Sequence, residues 1–204
     1  MNRVLNARIT MFAACAATWL GLLHAGEPAP PKPSGWRNDG SGVYPHATLP
    51  TTWDSKKNIV WSTEIGWSYS SVIACGEHVY ALTEPNKVMC VNAADGKIQW
   101  TKELTADILP EAQRGNVKDL FQGGETSGNS ACTPVSDGTS LFVVLGNGIV
   151  ACLDAGKGAV KWAQHVDKEP TMSDGRSASP LLVGGKLLVH MSKLVALDPA
   201  RGKL

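Results

Sequence analysis

Short apolar runs alternate along this chain with turns that contain glycine. Three segments share one layout, in which an apolar run is followed by a glycine turn and then by a second apolar run. Runs of this length around a glycine turn predict β-hairpins rather than helices. The three segments are Ser71–Leu82, Thr133–Val144 and Ser179–Val189.

A second repeated motif follows each predicted hairpin. It begins with a small residue, has Asn or Asp in third place and glycine in seventh place, and closes on tryptophan in its first two copies. The third copy ends before the tryptophan position is reached. The motif residues are Asn92, Gly96 and Trp100 in the first copy, Asp154, Gly158 and Trp162 in the second, and Asp198 and Gly202 in the third.

Each repeat unit therefore predicts four strands, since the motif supplies a third strand, a turn and a fourth strand that carries the tryptophan. The motif glycines are 62 and 44 residues apart, which is the period of a β-propeller blade with one insertion. We expect the glycine to adopt positive φ and the Asn or Asp to accept turn hydrogen bonds. The tryptophan is expected to dock between adjacent blades and not to stack on a ligand.

The motif is similar to the tryptophan-docking motif of the pyrroloquinoline quinone (PQQ) repeat, with Cys90 and Cys152 where that family usually has alanine. Residues 36–42, 49–53 and 58–65 also resemble exported members of the family. The resemblance implies an all-β PQQ-type propeller with four-stranded antiparallel blades. About two and three-quarter blades would be present, as the N-terminal part of a seven- or eight-bladed ring.

The N-terminus is typical of an export signal. Arg3 and Arg8 precede an uncharged run, Ile9–Leu23, which is short for a membrane span and suits a signal peptide. An uncleaved anchor and a lipoprotein attached at Cys15 remain alternatives. The predicted organisation is a signal peptide at 1–25, a proline-rich leader at 26–35, an N-terminal segment with the leading outer strand of Trp61 at 36–66, a first blade at 67–104, an insertion loop at 105–129, a second blade at 130–166 and an incomplete third blade at 167–204. On this interpretation the natural chain is longer, or the arc is open.

Two kinds of function occur in the family that the chain resembles. Quinoprotein dehydrogenases bind PQQ and Ca²⁺ at the ring centre and often place two adjacent cysteines against the cofactor, whereas non-catalytic members, among them the assembly factor BamB, bind protein partners. This chain has no adjacent cysteines and no acid that matches the dehydrogenase base. We therefore expect no catalytic, cofactor-binding or metal-binding residues and a non-catalytic exported scaffold. The alternatives are a fragment of a PQQ- and Ca²⁺-dependent alcohol or sugar dehydrogenase, and a carbohydrate-binding propeller that uses the insertion at 105–129.

Charge and composition limit the classes of molecule that the chain is expected to bind. Lys and Arg number 19 and Asp and Glu 18, so nucleic acid binding lacks its electrostatic drive. We expect protein partners, a periplasmic or secreted location, membrane contact only through an uncleaved signal, and self-association if the arc is open. A Cys75–Cys132 disulfide is an open alternative to two free thiols. The histidines lack metal-ligand spacing, and the insertion is expected to be a surface loop with helical turns near 106–109 and 117–121.

Overall fold

A computed structural model describes residues 33–44, 47–117, 129–167 and 178–204. Its strands form three antiparallel sheets that follow one another along the chain. The three sheets lie within the predicted blades 67–104, 130–166 and 167–204. The predicted signal peptide at 1–25 lies outside the described residues. In the described part of the chain no helix is long and apolar enough to cross a membrane.

The first two sheets each contain four strands in chain order, and the third contains three. The predicted all-β architecture of four-stranded antiparallel blades is therefore confirmed, with the third blade incomplete. The strands are β1 (Ile73–Cys75), β2 (His78–Thr83), β3 (Lys87–Asn92) and β4 (Ile98–Glu103) in the first sheet, β5 (Val135–Ser136), β6 (Ser140–Val144), β7 (Ile149–Asp154) and β8 (Val160–His165) in the second, and β9 (Leu181–Val183), β10 (Lys186–His190) and β11 (Leu194–Leu197) in the third.

The second sheet is buried on both faces. Leu141 and Val143 of β6 pack toward the first sheet, whereas Phe142 and Val144 of the same strand pack toward the third. Successive side chains of a strand point to opposite faces, so a sheet between two others needs apolar residues at every position. This explains why β6 and β7 are continuous apolar runs.

Hydroxyl groups link the first strands of the three sheets. The backbone N–H of Ser71, just before β1, donates to Thr133 Oγ1 (3.2 Å), and the N–H of Thr133, just before β5, donates to Ser179 Oγ (3.0 Å). The three residues occupy the same position in the three repeat units. The bonds bring β1, β5 and β9 side by side, so these strands form the inner side of the arc.

The insertion between the first two sheets is partly buried. It contains a 3₁₀ turn (Ala106–Ile108) and a short helix, α1 (Glu111–Arg114), and between them Leu109 is buried in the core that the first two sheets share. The sequence predicted the first turn, but it did not predict α1 or the burial of Leu109. Most of the helical turn expected at 117–121 lies outside the described residues. The described residues of the insertion, 105–117, therefore contribute to the core between the two sheets.

We predict that Thr133→Val lowers the free energy of unfolding by about 1 kcal/mol, because the substitution keeps the side-chain shape and removes the acceptor for the Ser71 N–H. Urea denaturation would measure the change. Thr101→Val, at an exposed position of β4, is the matched control and should change stability much less. Equal effects of the two substitutions would contradict the proposed role of the hydroxyl.

Candidate functional site

The turn that follows the third strand is built in the same way in each repeat unit. The side-chain Oδ1 of Asn92, Asp154 and Asp198 accepts the backbone N–H two residues further on, at 2.8, 3.1 and 2.8 Å. A side chain that satisfies its own turn holds the backbone in one shape. The motif Asn and Asp side chains thus stabilise the turns of their own repeat units.

Each motif glycine lies directly beneath the indole ring of a tryptophan from the preceding unit. Their φ values are +73°, +67° and +65°, in the left-handed region that favours glycine. A Cβ built on Gly96 would lie 2.7 Å from the Trp61 ring, and one on Gly158 would lie 2.6 Å from the Trp100 ring. The Trp162 ring occupies the same place above Gly202. Any side chain at these glycines would displace the indole.

Each of these indoles also donates a hydrogen bond to the unit on which it lies. The acceptors are the carbonyl oxygens of Ala93 for Trp61 (2.8 Å), Ala155 for Trp100 (3.1 Å) and Pro199 for Trp162 (2.8 Å). The sequence predicted a lone outer strand for Trp61, and the repeated motif does not include this residue. In the structure Trp61 docks like the other two, although residues 59–65 form no strand.

At the interface between the first and second sheets, a second side chain donates a hydrogen bond beside Trp100. Tyr80 of β2 donates its hydroxyl to the Ala155 carbonyl at 3.1 Å, so that one carbonyl oxygen accepts both Tyr80 and Trp100. Phe142 has the corresponding position in the second sheet and packs against Trp162 without such a bond. Burial raises the pKa of Tyr80, so its phenol keeps the proton that it donates.

The four cysteines of the described residues are buried, and Cys75, Cys90 and Cys152 have free thiols. The alternative of a Cys75–Cys132 disulfide is therefore not realised. Cys90 and Cys152 lie directly opposite Trp100 and Trp162 in neighbouring strands. Burial raises the pKa of Cys90 to about 12 and that of Cys152 to about 11. Both are protonated thiols at neutral pH and poor nucleophiles.

Side-chain hydrogen bonds fix the insertion at both of its ends. Gln113 of α1 accepts the backbone N–H of His165 (2.9 Å) and donates to the side chain of Gln164 (2.9 Å), so it is bound to β8. At the other end the Glu84 carboxylate accepts the backbone N–H groups of Asn129 and Ser130, both at 3.0 Å. Gln113 and Glu84 could not be predicted from the sequence, because nothing in the local pattern indicates contacts of such long range.

Among the residues that the structure describes, no three His, Cys, Asp or Glu residues lie together as a metal site would require. Near the starts of the first strands, the hydroxyls of Thr133 and Ser179 each accept a backbone N–H group. These two hydroxyls therefore serve contacts between neighbouring sheets.

Fold and contacts together define a β-propeller segment whose blades are joined by tryptophan docking. Residues 50–204 match the family model described as outer membrane protein assembly factor BamB. The chain belongs to this family of PQQ-like propellers, as its repeat motif indicated.

Individual relatives share about a quarter of their aligned residues with this chain. An uncharacterized protein of Rickettsia prowazekii is 26% identical over 77% of this chain and 34% of its own length. The outer membrane protein assembly factor BamB of Yersinia pestis is 25% identical over 68% of this chain and 30% of its own length. The chain thus spans about a third of the length of the curated relatives it matches.

Solved structures resemble the chain in fold alone. The crystal structure of BamB from Moraxella catarrhalis has a TM-score of 0.45 and 15% identity, over 65% of this chain and 37% of that one. The quinohemoprotein alcohol dehydrogenase ADHIIG from Pseudomonas putida HK5 has a TM-score of 0.49 and 16% identity, over 67% of this chain and 20% of that one.

We predict that Gly158→Ala lowers the free energy of unfolding by about 3 kcal/mol, because the new Cβ combines positive-φ strain with overlap of the Trp100 ring. Urea denaturation would measure the loss. Gly156→Ala is the control, since it lies in the same turn without positive φ and its Cβ would meet nothing closer than 3.7 Å. The prediction fails if both variants lose the same stability.

The raised thiol pKa values predict a loss of stability at alkaline pH. The unfolded thiols ionise near pH 9, while the native thiols hold their protons to about pH 12 and 11. Unfolding therefore releases protons above pH 9, and stability falls as the pH rises from there. Urea midpoints between pH 8 and 11 should fall less steeply in Cys90→Ala/Cys152→Ala than in the wild type. An unchanged slope would show that the two thiols are not responsible.

Proposed function

We propose that this protein is a non-catalytic, exported propeller scaffold that binds a protein partner through the insertion between its first two blades. The observation that carries the proposal is the anchoring of the insertion at both ends, by Gln113 on β8 and by Glu84 at Asn129 and Ser130. A loop held on a rigid scaffold loses little conformational entropy when a partner binds.

The structural contacts of the thiol, hydroxyl and carboxylate groups support the same non-catalytic function. Among the described residues, the thiols of Cys90 and Cys152 are buried and protonated, and the Tyr80 hydroxyl is bonded to a backbone carbonyl. The carboxylate of Glu84 accepts backbone N–H groups. These groups hold the blades together, and none of them is placed to react with a bound substrate.

Charged side chains surround the anchored part of the insertion. Glu111 is exposed on α1, and the Arg114 guanidinium donates to the carbonyl oxygens of Leu109 and Asp107, which holds the helix against the preceding turn. A mixed polar surface of this kind suits a protein partner better than a lipid surface. By analogy with the assembly factor that the family model names, we propose a component of the outer-membrane assembly machinery as partner and a periplasmic location.

Site-specific photo-crosslinking tests the proposed surface. We predict that p-benzoylphenylalanine in place of Glu111 crosslinks one defined protein in native cells, identified by mass spectrometry. The same group in place of Asp95 should not, because Asp95 is exposed at the opposite end of β4. Gln113→Ala should reduce the Glu111 crosslink several-fold by releasing α1 from β8. Equal crosslinking from both positions would refute the proposed surface.

The rival function is oxidation of an alcohol or sugar with PQQ and Ca²⁺. It is tested on the product of the whole natural gene, with both groups added and a dye as electron acceptor. We expect no substrate-dependent reduction of the dye. Turnover that requires both PQQ and Ca²⁺ would replace the scaffold function with a dehydrogenase.

A further inference from the structure

An N-terminal segment, Ser34–Asn38, lies against the free edge of β5. The N–H of Ser34 donates to the carbonyl oxygen of Ser136, and the N–H of Ser136 donates to the carbonyl oxygen of Ser34, both at 2.8 Å. Ser136 is fully buried, and Ser34 is 5% exposed. The pair therefore forms a two-way antiparallel bridge on the edge of β5 that does not face β6.

That edge belongs to the inner side of the propeller. The hydroxyl bonds from Ser71 to Thr133 and from Thr133 to Ser179 join the starts of the three first strands. The fourth strands, β4 and β8, lie at the other ends of their sheets. Ser34–Asn38 consequently runs along the side of the arc that surrounds the propeller axis.

The segment is bridged to one of the three first strands. Ala74, Ser136 and Leu182 have the same position in these strands, and among the described residues Ser34 forms its bridge with Ser136. The second sheet is packed on both faces, and the bridge to Ser34 occupies the N–H and C=O groups of Ser136 at its remaining edge.

Close backbone approach makes this contact specific. A Cβ on Gly35 would lie 3.1 Å from Val135 Cγ2, so a larger residue at position 35 would push the segment away from β5. The neighbouring first strands have the larger residues Ile73 and Leu181 where β5 has Val135. The fit thus depends on glycine on one side and valine on the other.

A tight turn follows the bridge and fixes its end. The N–H of Gly35 donates to the carbonyl of Asn38 (2.7 Å) and the N–H of Asn38 donates back (3.0 Å). Arg37 and Asn38 have φ values of +56° and +64°, which non-glycine residues adopt only where their surroundings hold them. The Arg37 guanidinium lies over the Trp36 ring, 5.3 Å from its centroid, and adds a cation–π contact.

We propose that Ser34–Asn38 is an axial strap, a permanent extra strand segment that closes the inner edge of the second sheet. The strap occupies the backbone groups through which a ligand or an added strand could bind to β5 from the axis. It rests on the proposed function and deepens it, because a protein partner is then directed to the outer surfaces and a ligand at the axis would first have to displace the strap.

Amide hydrogen exchange in the full chain tests the strap. Ser34→Pro/Gly35→Val removes the donor N–H and adds the side chain that meets Val135. Ser34→Ala is the matched control, since it keeps both backbone hydrogen bonds. We expect the Ser136 amide to exchange at least tenfold faster in the double variant than in wild type or Ser34→Ala. The Val143 amide of β6 should exchange at the same rate in all three proteins.

The outcomes separate the strap from the proposed function. Rapid exchange of Ser136 in wild type, or an unchanged rate in the double variant, would overturn the strap. If Val143 also exchanged faster, the double variant would have lost global stability. The milder variant Gly35→Ala, which adds only the contact with Val135, would then be measured instead. A higher ratio of the Ser136 to the Val143 exchange rate than in wild type would support the strap, and an unchanged ratio would contradict it. The Glu111 crosslink should persist in the double variant, so its failure in wild type would count against the proposed function alone.

Discussion

The docking of a tryptophan on a glycine of the next unit is the contact on which the rest of this structure depends. It needs three features at once: a large flat ring, a backbone with no side chain beneath it, and a carbonyl oxygen within reach of the indole N–H. Trp100, Gly158 and the Ala155 carbonyl supply them at the first interface between complete sheets. Because the ring covers the glycine and its N–H finds an acceptor, the contact buries apolar surface without leaving a polar group unpaired.

The placement of each sheet follows from this contact. Trp100 and Trp162 are on fourth strands, while each docking glycine is in the turn that follows the third strand of the next sheet. Successive sheets are therefore held near their outer strands, and the hydroxyl bonds of Thr133 and Ser179 hold the first strands together at the inner side. Two sets of contacts, one at each side of the sheets, fix the relative positions of neighbouring blades more firmly than apolar packing alone.

The sequence predicted the repeated parts of the molecule and missed the contacts made once. Gly96, Gly158 and Gly202 could be recognised because each has the same position in a motif that recurs three times. Gln113, Glu84 and Ser34 could not, since each bonds to a distant backbone group and leaves no periodic pattern. Trp61 is intermediate: its sequence neighbourhood was recognised, but its docking glycine lies in the following unit, and only the three-dimensional contacts pair them.

The insertion lengthens the chain at a connection between two blades, where docking is unaffected. It follows the end of β4, whereas Gly96 and its turn precede the start of that strand. Additions at one end of the sheets thus leave the tryptophan, its glycine and its carbonyl acceptor unchanged at the other. A fold of this kind separates the surface that can vary from the surface that must stay constant. New binding loops can therefore arise in evolution between any two blades without a compensating change in how the blades are joined.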